Sequence, residues 1–305
     1  MMTRRCRSIT LGHMSKRPPT VRRRRLGTQL RKIREERGLT LDEAAALLSM
    51  SKSALSRMEN AQVVARTHEV NYIAMMYGLP EDDDLRSALV GLATGGRSRD
   101  WIRRHKLPGK GPHYGEYVLL EQDSSELFTY HADLIPGLLQ TPEYAHAVMA
   151  SVPSSGVSDI DEGVAFRMAR KEALTRPDPL LIKAVIGEAA IRQWVGGREV
   201  MTAQLRYLRE LIEWPNVQVQ ILPLTTTKNP GVDGSFVILH VEAGNFPIVI
   251  VDGFRRTIFI EDDEDVVAYR EIQAELCRVA APEAETRHCI EQAIRNLESR
   301  GREDR

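Results

Sequence analysis

The sequence predicts an α+β chain in two parts, an all-helical N-terminal head followed by a mixed α+β domain. Its 305 residues exceed the span of one domain, which is usually about 100 to 200 residues. Hydrophobic residues make up 42% of the chain, enough for a packed core. The periodicity also changes along the chain, from helical spacing alone before Gly95 to helices interleaved with β-rich runs after Gly115. These observations place boundaries at 1–20, a disordered basic arm; 21–85, the helical head; 86–115, a linker helix and loop; 116–285, the α+β domain; and 286–305, a helical tail.

The arm is rich in Arg, Ser, Thr and Pro without apolar periodicity, and Met14 is an alternative start because nothing before it is patterned to fold. A first helix follows from Leu26, Leu30 and Ile33 and stops at Gly38. Thr40 caps a second, with Glu43 completing a Thr-x-x-Glu capping box ahead of Leu41, Ala44, Ala45 and Leu48. The turn Ser49-Met50 leads to Ser51, an N-cap for a third helix from Lys52 to about Asn60. A fourth carries Val70, Ile73, Ala74 and Tyr77 and ends at Gly78-Leu79-Pro80. The linker helix bears Leu85, Leu89 and Leu92, and Gly95-Gly96 and Pro108-Gly109-Lys110-Gly111-Pro112 break the pattern after it.

Strand-like runs then fall at Leu127–Tyr130, Leu180–Ile186, Val217–Leu222, Phe236–Val241, Ile248–Val251 and Ile258–Ile260, with helical patterns at Val164–Leu174, Met201–Ile212 and Val266–Val279. The last three strands follow one another through Gly and Asn turns, which predicts antiparallel pairing. Ile135-Pro-Gly-Leu-Leu-Gln-Thr-Pro reads as a strand exit, a tight turn and a new helix capped by Thr141 with Pro142 at its first position. Trp194, Trp214 and Phe254 read as core aromatics, with a pocket lining as the less favoured alternative.

The chain balances 42 Lys+Arg against 42 Asp+Glu, but the balance conceals segregation. Residues 1–37 hold 13 Lys and Arg against only Glu35 and Glu36, while acids gather at Glu81–Asp84 and Glu261–Asp265. One end is built for a polyanion. Three cysteines, Cys6, Cys277 and Cys289, are too few and scattered for a disulfide framework. No apolar run reaches the roughly 18 to 20 residues of a membrane helix, and no signal-peptide stretch follows the N-terminal arginines. The expectation is a cytoplasmic, nucleoid-associated protein that needs no membrane.

Two helices joined by a short turn can lay the second into the DNA major groove if small and apolar residues fix their packing. Ala45 stands at the helix crossing, with Ala44, Leu48, Met50, Leu55 and Met58 as the apolar set. Lys52, Ser53, Ser56 and Arg57 face outward from the third helix, short or basic groups able to reach base edges and phosphates, with Arg22, Arg23, Arg24 and Arg25 nearby in sequence to neutralise phosphate.

The run Leu26-Gly-Thr-Gln-Leu-Arg-x-x-Arg-x-x-x-Gly-Leu-Thr-Leu, followed by Ser-x-Ser-x-x-Ser-Arg-x-Glu at 51–59, resembles the XRE class of helix-turn-helix regulators, whose heads have the fold of phage λ repressor, over residues 21–80. The resemblance implies that Ser51 and Lys52 open a recognition helix, that Ser53, Ser56 and Arg57 read bases, that Thr40 and Asn60 hold phosphates, and that Glu59 is structural. Ser49 departs from the pattern, which has glycine in the turn. Further on, Asp133-Leu-Ile-Pro-Gly-Leu-Leu-Gln-Thr-Pro-Glu-Tyr-Ala145 resembles the antitoxin-like domain behind XRE heads in actinobacterial WhiJ-like regulators. Arg167-x-x-Arg170, Ile186-Gly-Glu-Ala-Ala-Ile-Arg192, Met201-x-x-Gln-Leu205, Asn216–Pro223 and Phe236–Leu239 fit in order; Asp252, where glutamate is usual, is a mild departure. The implied protein is a homodimeric regulator of double-stranded DNA at an inverted repeat, controlled by a small protein encoded nearby or by a small-molecule effector. The alternative is an antitoxin-like module that sequesters a small partner and binds DNA only for autoregulation.

Enzyme chemistry finds no footing. Self-cleavage at Ala243-Gly244 lacks a following lysine, since Lys228 is the last in the chain. Nucleophile-elbow, phosphate-loop and zinc-helix motifs are missing. His113 with Glu116, and Cys277 with His288 and Cys289, lack a third metal ligand at credible spacing. Glu188 and Arg192 read as a surface or interface pair at i, i+4. No cofactor, metal or catalytic residue is expected.

Overall fold

The computed structural model describes residues 19–94, 101, 104–105, 112–151, 159–242, 244–253 and 257–303. The expected arm before Pro19, the Gly95-Gly96 and Pro108–Gly111 breakers and Phe254 lie outside these residues. The architecture is α+β: a helical region over 21–94, then a six-stranded mixed sheet with its helices.

Five helices form the head: α1 Val21–Glu36, α2 Leu41–Leu47, α3 Lys52–Glu59, α4 Thr67–Met76 and α5 Asp84–Thr94. Helix α1 starts five residues before the expected Leu26. Thr20 caps it by accepting from Arg23 N at 3.4 Å, and Val21 is fully buried. Four arginines at a helix N-terminus oppose the macrodipole and repel one another, so this turn needs outside anions. The second domain supplies them. Glu116 accepts from Val21 N, Asp123 pairs with Arg22, Glu261 accepts from Arg24 Nε at 2.8 Å, and Asp263 lies 3.4 Å from Arg25 Nη1. Helix α5, expected in the linker, packs on α1 and α4 with Leu89 and Leu92 buried. It therefore closes the head bundle, which runs to Thr94.

The second domain follows in the order α6 Pro112–Gln122, β1 Ser124–His131, a 3-10 turn Gly137–Leu139, α7 Pro142–Ser151, α8 Ile160–Arg170, α9 Glu172–Thr175, β2 Leu181–Gly187, α10 Glu188–Arg192, α11 Arg198–Leu211, β3 Val217–Leu222, β4 Phe236–Val241, β5 Phe246–Asp252, β6 Thr257–Ile260, α12 Asp263–Val279 and α13 Glu283–Glu303. The sheet order is β3-β2-β1-β4-β5-β6. As expected, β4, β5 and β6 pair antiparallel. Strands β1, β2 and β3 are parallel, with Thr129 opposite Ala184 and Val185 opposite Gln220, because helices carry the chain back between them.

Alternation divides the sheet. Leu127, Ile182, Ala184, Leu239 and Ile248 join a core that continues into the head. Phe128, Tyr130, Phe236 and Ile238 face the other way, onto Val266 and Leu276 of α12. The expected helical tail is part of this domain. Ile290, Ile294 and Leu297 of α13 are buried, and Thr286 Oγ1 accepts from Ile221 N at 3.0 Å while donating to Ala281 O.

The segment Ile135–Pro142 is architecture, as its spacing suggests. Thr141 Oγ1 accepts from Tyr144 N at 3.2 Å to cap α7, and Gln204 Oε1 accepts from Thr141 N at 2.7 Å. Of the aromatics expected in the core, Trp214 packs half-buried against it, but Trp194 is 45% exposed. Cys277 and Cys289 are partly buried free thiols whose pKa values burial pushes up. Glu188 and Arg192 form their i, i+4 pair.

The Arg22–Asp123 pair joins the two domains in the interior, Asp123 being almost fully buried. Asp123→Ala leaves the guanidinium without its counter-charge, and chemical denaturation should show a loss of about 3 to 5 kcal/mol. A loss under ~1 kcal/mol would mean that the head is not anchored through this pair.

Candidate nucleic-acid interface

The geometry of α2, its turn and α3 follows from short local rules. Thr40 N donates to Glu43 Oε2 at 2.8 Å and Glu43 N donates to Thr40 Oγ1 at 3.3 Å, so the capping box forms as read. Those hydrogen bonds hold the Glu43 carboxyl below its ordinary pKa. Leu48, Ala44 and Ala45 are buried. Ser49 adopts φ 52°, the left-handed conformation that a glycine takes at modest cost and serine at somewhat more. It is held there as Ser49 N donates to Ala46 O and Met50 N to Ala45 O, at 3.1 and 2.9 Å. Ser51 Oγ then accepts from Ala54 N at 3.2 Å and starts α3.

Two features seat α3 on α1. Gly27 lies where the helices cross, and a Cβ there would collide with the Glu59 carbonyl. Beside it, buried Glu59 takes a two-pronged hydrogen bond from Arg34, Nε to Oε1 at 2.7 Å and Nη2 to Oε2 at 2.9 Å. This hydrogen bond raises the Arg34 pKa, and Arg34 Nη1 also donates to Leu39 O at 2.9 Å. The structure thus places Glu59 inside the head.

With Leu55, Met58 and Glu59 inward, α3 turns its other face out. Lys52, Ser53 and Arg57 are exposed and Ser56 is half-buried, at positions i, i+1, i+4 and i+5 of one helical stripe. The Arg57 side chain makes no hydrogen bond or ion pair among the described residues and is exposed, so its five donors face solvent. Lys52 lies 2.7 Å from Asp42 Oδ2, a fully exposed pair that a phosphate can displace at little cost. Ser53 Oγ lies 3.2 Å from Ser51 Oγ.

The residues expected to hold phosphate are more occupied. Thr40 is engaged in its capping box. Asn60 donates to Ser56 O at 2.8 Å and accepts from Arg31 Nη2 at 2.6 Å. Arg31, which the sequence reading passed over, also lies 3.5 Å from Glu59 Oε2 and brings a half-exposed cation to the end of α3. Of the arginine run, Arg22, Arg24 and Arg25 pair with Asp123, Glu261 and Asp263, and Arg25 also stacks 5.5 Å over Phe246. They hold the second domain instead of standing free for phosphate. Only their burial partners, 100 to 240 residues away, could have revealed this.

Residues 25–89 match a helix-turn-helix domain family, and residues 114–292 match the family described as a domain of unknown function, DUF5753. No curated protein and no solved structure matches the chain. Among the described residues no helix is long and apolar enough to cross a membrane, and no group of three metal-ligating side chains comes together.

The Arg34–Glu59 bond sets how α3 is presented. Glu59→Ala, which leaves the buried guanidinium only the exposed Glu35 at 3.3 Å and Leu39 O as partners, should lower the head's stability by up to about 3 to 5 kcal/mol in thermal or urea unfolding. Gly27→Ala should cost about 1 to 3 kcal/mol by wedging α1 from α3, and both should loosen DNA binding without touching a DNA-facing side chain.

Proposed function

The chain belongs to the DUF5753 family, and with a helix-turn-helix head in front of that domain we propose that it is a sequence-specific transcription regulator of the XRE class, a non-enzymatic binder of double-stranded DNA. The exposed stripe of α3 carries this reading. Lys52, Ser53, Ser56 and Arg57 stand together on a helix whose opposite face is locked to α1. That is what major-groove reading requires of a helix: a rigid mount and free donors. Arg57, with unengaged donors, reads a base edge, the commonest such contact being an arginine fork on guanine. Ser51, Thr40, Asn60, Arg31 and Arg23, whose side chain has no ion pair among the described residues, approach the phosphates, which position the helix without selecting sequence.

The protein acts as a homodimer on an inverted repeat, because two-fold proteins meet two-fold sites. The DUF5753 domain receives the signal. Its route to the head is short: Asp123 precedes β1 directly and pairs with Arg22, and Glu261 and Asp263 follow β6 and hold Arg24 and Arg25. A shift at this sheet therefore moves the first turn of α1, on which α3 is seated.

Chromatin immunoprecipitation across the genome, with Arg57→Ala as control, tests the reading. The expected result is a small set of sharp peaks sharing an inverted repeat and lost in the variant. On the recovered site Arg57→Ala should cost about 1 to 3 kcal/mol in a titration, with little change on random DNA. Equal losses on both DNAs would make Arg57 a phosphate contact, and peaks that do not depend on it would overturn the assignment of α3. A separate salt titration addresses the arginine run. Arg24→Ala should leave the salt dependence of DNA binding unchanged if Arg24 docks the domains, whereas a phosphate contact would lower the log–log slope by about 1.

A further inference from the structure

A cavity of about 340 Å³ lies on the sheet face toward α6 and α8, lined among others by Tyr114, His131, Asp133, Arg167, Phe236 and Asp252. Its place follows from topology. From β1 the chain moves to one side, to β2 and β3, and then returns to the other side of β1 as β4. A strand from which successive connections depart in opposite directions leaves a crevice beyond its carboxyl end, where open α/β sheets take their ligands. His131 ends β1, and Asp252 ends β5, which runs the same way. The volume lies in the range of small-molecule sites, roughly 300 to 1,000 Å³.

Two arginines one helical turn apart on α8 show what the cavity lacks. Arg170 is fully compensated. Its Nε and Nη2 meet Glu121 at 2.9 and 2.6 Å, and Nη1 donates to Tyr114 Oη at 2.9 Å. Arg167, which lines the cavity, has no carboxylate within ion-pair distance among the described residues. Its Nη1 donates to Gln140 Oε1 at 2.6 Å, an oxygen fixed in place because Gln140 Nε2 donates to Ile135 O. Its Nε is buried with no hydrogen-bond partner among the described residues, the Tyr114 hydroxyl being the other polar neighbour of the guanidinium. Burial disfavours the charge and pulls the Arg167 pKa down, yet a guanidinium keeps its proton. An enclosed cation with an idle donor is costly and therefore rare in folded proteins.

The rest of the lining defines the remainder of the ligand. Tyr114, Tyr117, Val148 and Ile250 present rings and aliphatic surface. Asp133 and Asp252 are exposed, so they stand at the mouth, and Asp252 accepts from Thr257 Oγ1 at 2.8 Å. We propose that this cavity binds a small organic oxyanion, a carboxylate or a phosphate monoester on an apolar body, with the oxyanion on Arg167 Nε and the body against Tyr114 and Ile250. The proposal deepens the regulatory reading and rests on it only in calling the ligand an effector.

Isothermal titration of the full chain with three probes sharing one ring tests it: phenylacetate, phenyl phosphate and phenethylamine at millimolar concentration. At least one acid should bind at one per chain and the amine should not, the two acids separating carboxylate from phosphate. Arg167→Met should weaken that binding roughly 10- to 100-fold, as loss of a charge-assisted hydrogen bond does. Gly137→Val keeps the arginine and blocks it, since a Cβ at Gly137 sits 3.9 Å from Arg167 Cδ and 4.0 Å from Nε. It carries the test should Arg167→Met fail to fold. Silence from both acids, equal binding by the amine, or acid binding undiminished in the folded variants would overturn the proposal. The assay contains no DNA. Silence there removes the site and leaves the regulator, whereas acid binding by a chain without specific DNA sites removes the regulator and leaves the site.

Discussion

A guanidinium withdrawn from water must meet a carboxylate, and three such meetings organise this protein. Arg34 on Glu59 fixes α3 to α1, Arg22 on Asp123 fixes the head to the sheet domain, and Arg170 on Glu121 fixes α8 to α6. Each closes a gap between elements that apolar burial alone would leave free to slide, since hydrophobic contact is not directional. Arg–carboxylate forks are directional. They add little net stability over an apolar substitute but make any other arrangement expensive. Arg167 breaks the pattern, which is why it marks a site and not a strut.

The docking of the head bears on function through competition. Arg22, Arg24 and Arg25 at the start of α1 face carboxylates of the second domain, and those carboxylates would compete with any phosphate for the same cations. The N-terminal positive charge is thus partly neutralised within the molecule. Under the proposed DNA-binding role, affinity would rest more heavily on α3 and on Arg31 than the raw charge of the sequence implies.

Under the proposed function, β1 would couple the two tasks of the second domain. The strand is hydrogen-bonded on both sides, parallel to β2 and antiparallel to β4. Its amino end lies beside the Asp123 that anchors the head, and its carboxyl end opens on the cavity. A rigid central strand makes a natural lever between the two, because packed sheets move as units.

Much of this was legible in the residues. All six strands, the capping box at Thr40 and Glu43, the Ser51 cap and the outward stripe of α3 follow from periodicities and caps that act within a few residues. The sequence alone therefore determined the strands, the head helices and which face of α3 is free, but not α6, whose first residue Pro112 reads locally as a breaker. Tertiary structure decided what lay beyond local reach. It extended α1 back to Val21 with acids from Glu116 to Asp263, turned Arg22, Arg24 and Arg25 from free cations into a docking surface, drew α5 and α13 into the domain cores, and made β1 to β3 parallel. It also left Arg167 without a counter-charge among the described residues, its buried Nε unpartnered. Whether a charge is paired depends on partners distant in sequence, and no spacing rule along the chain carries that information.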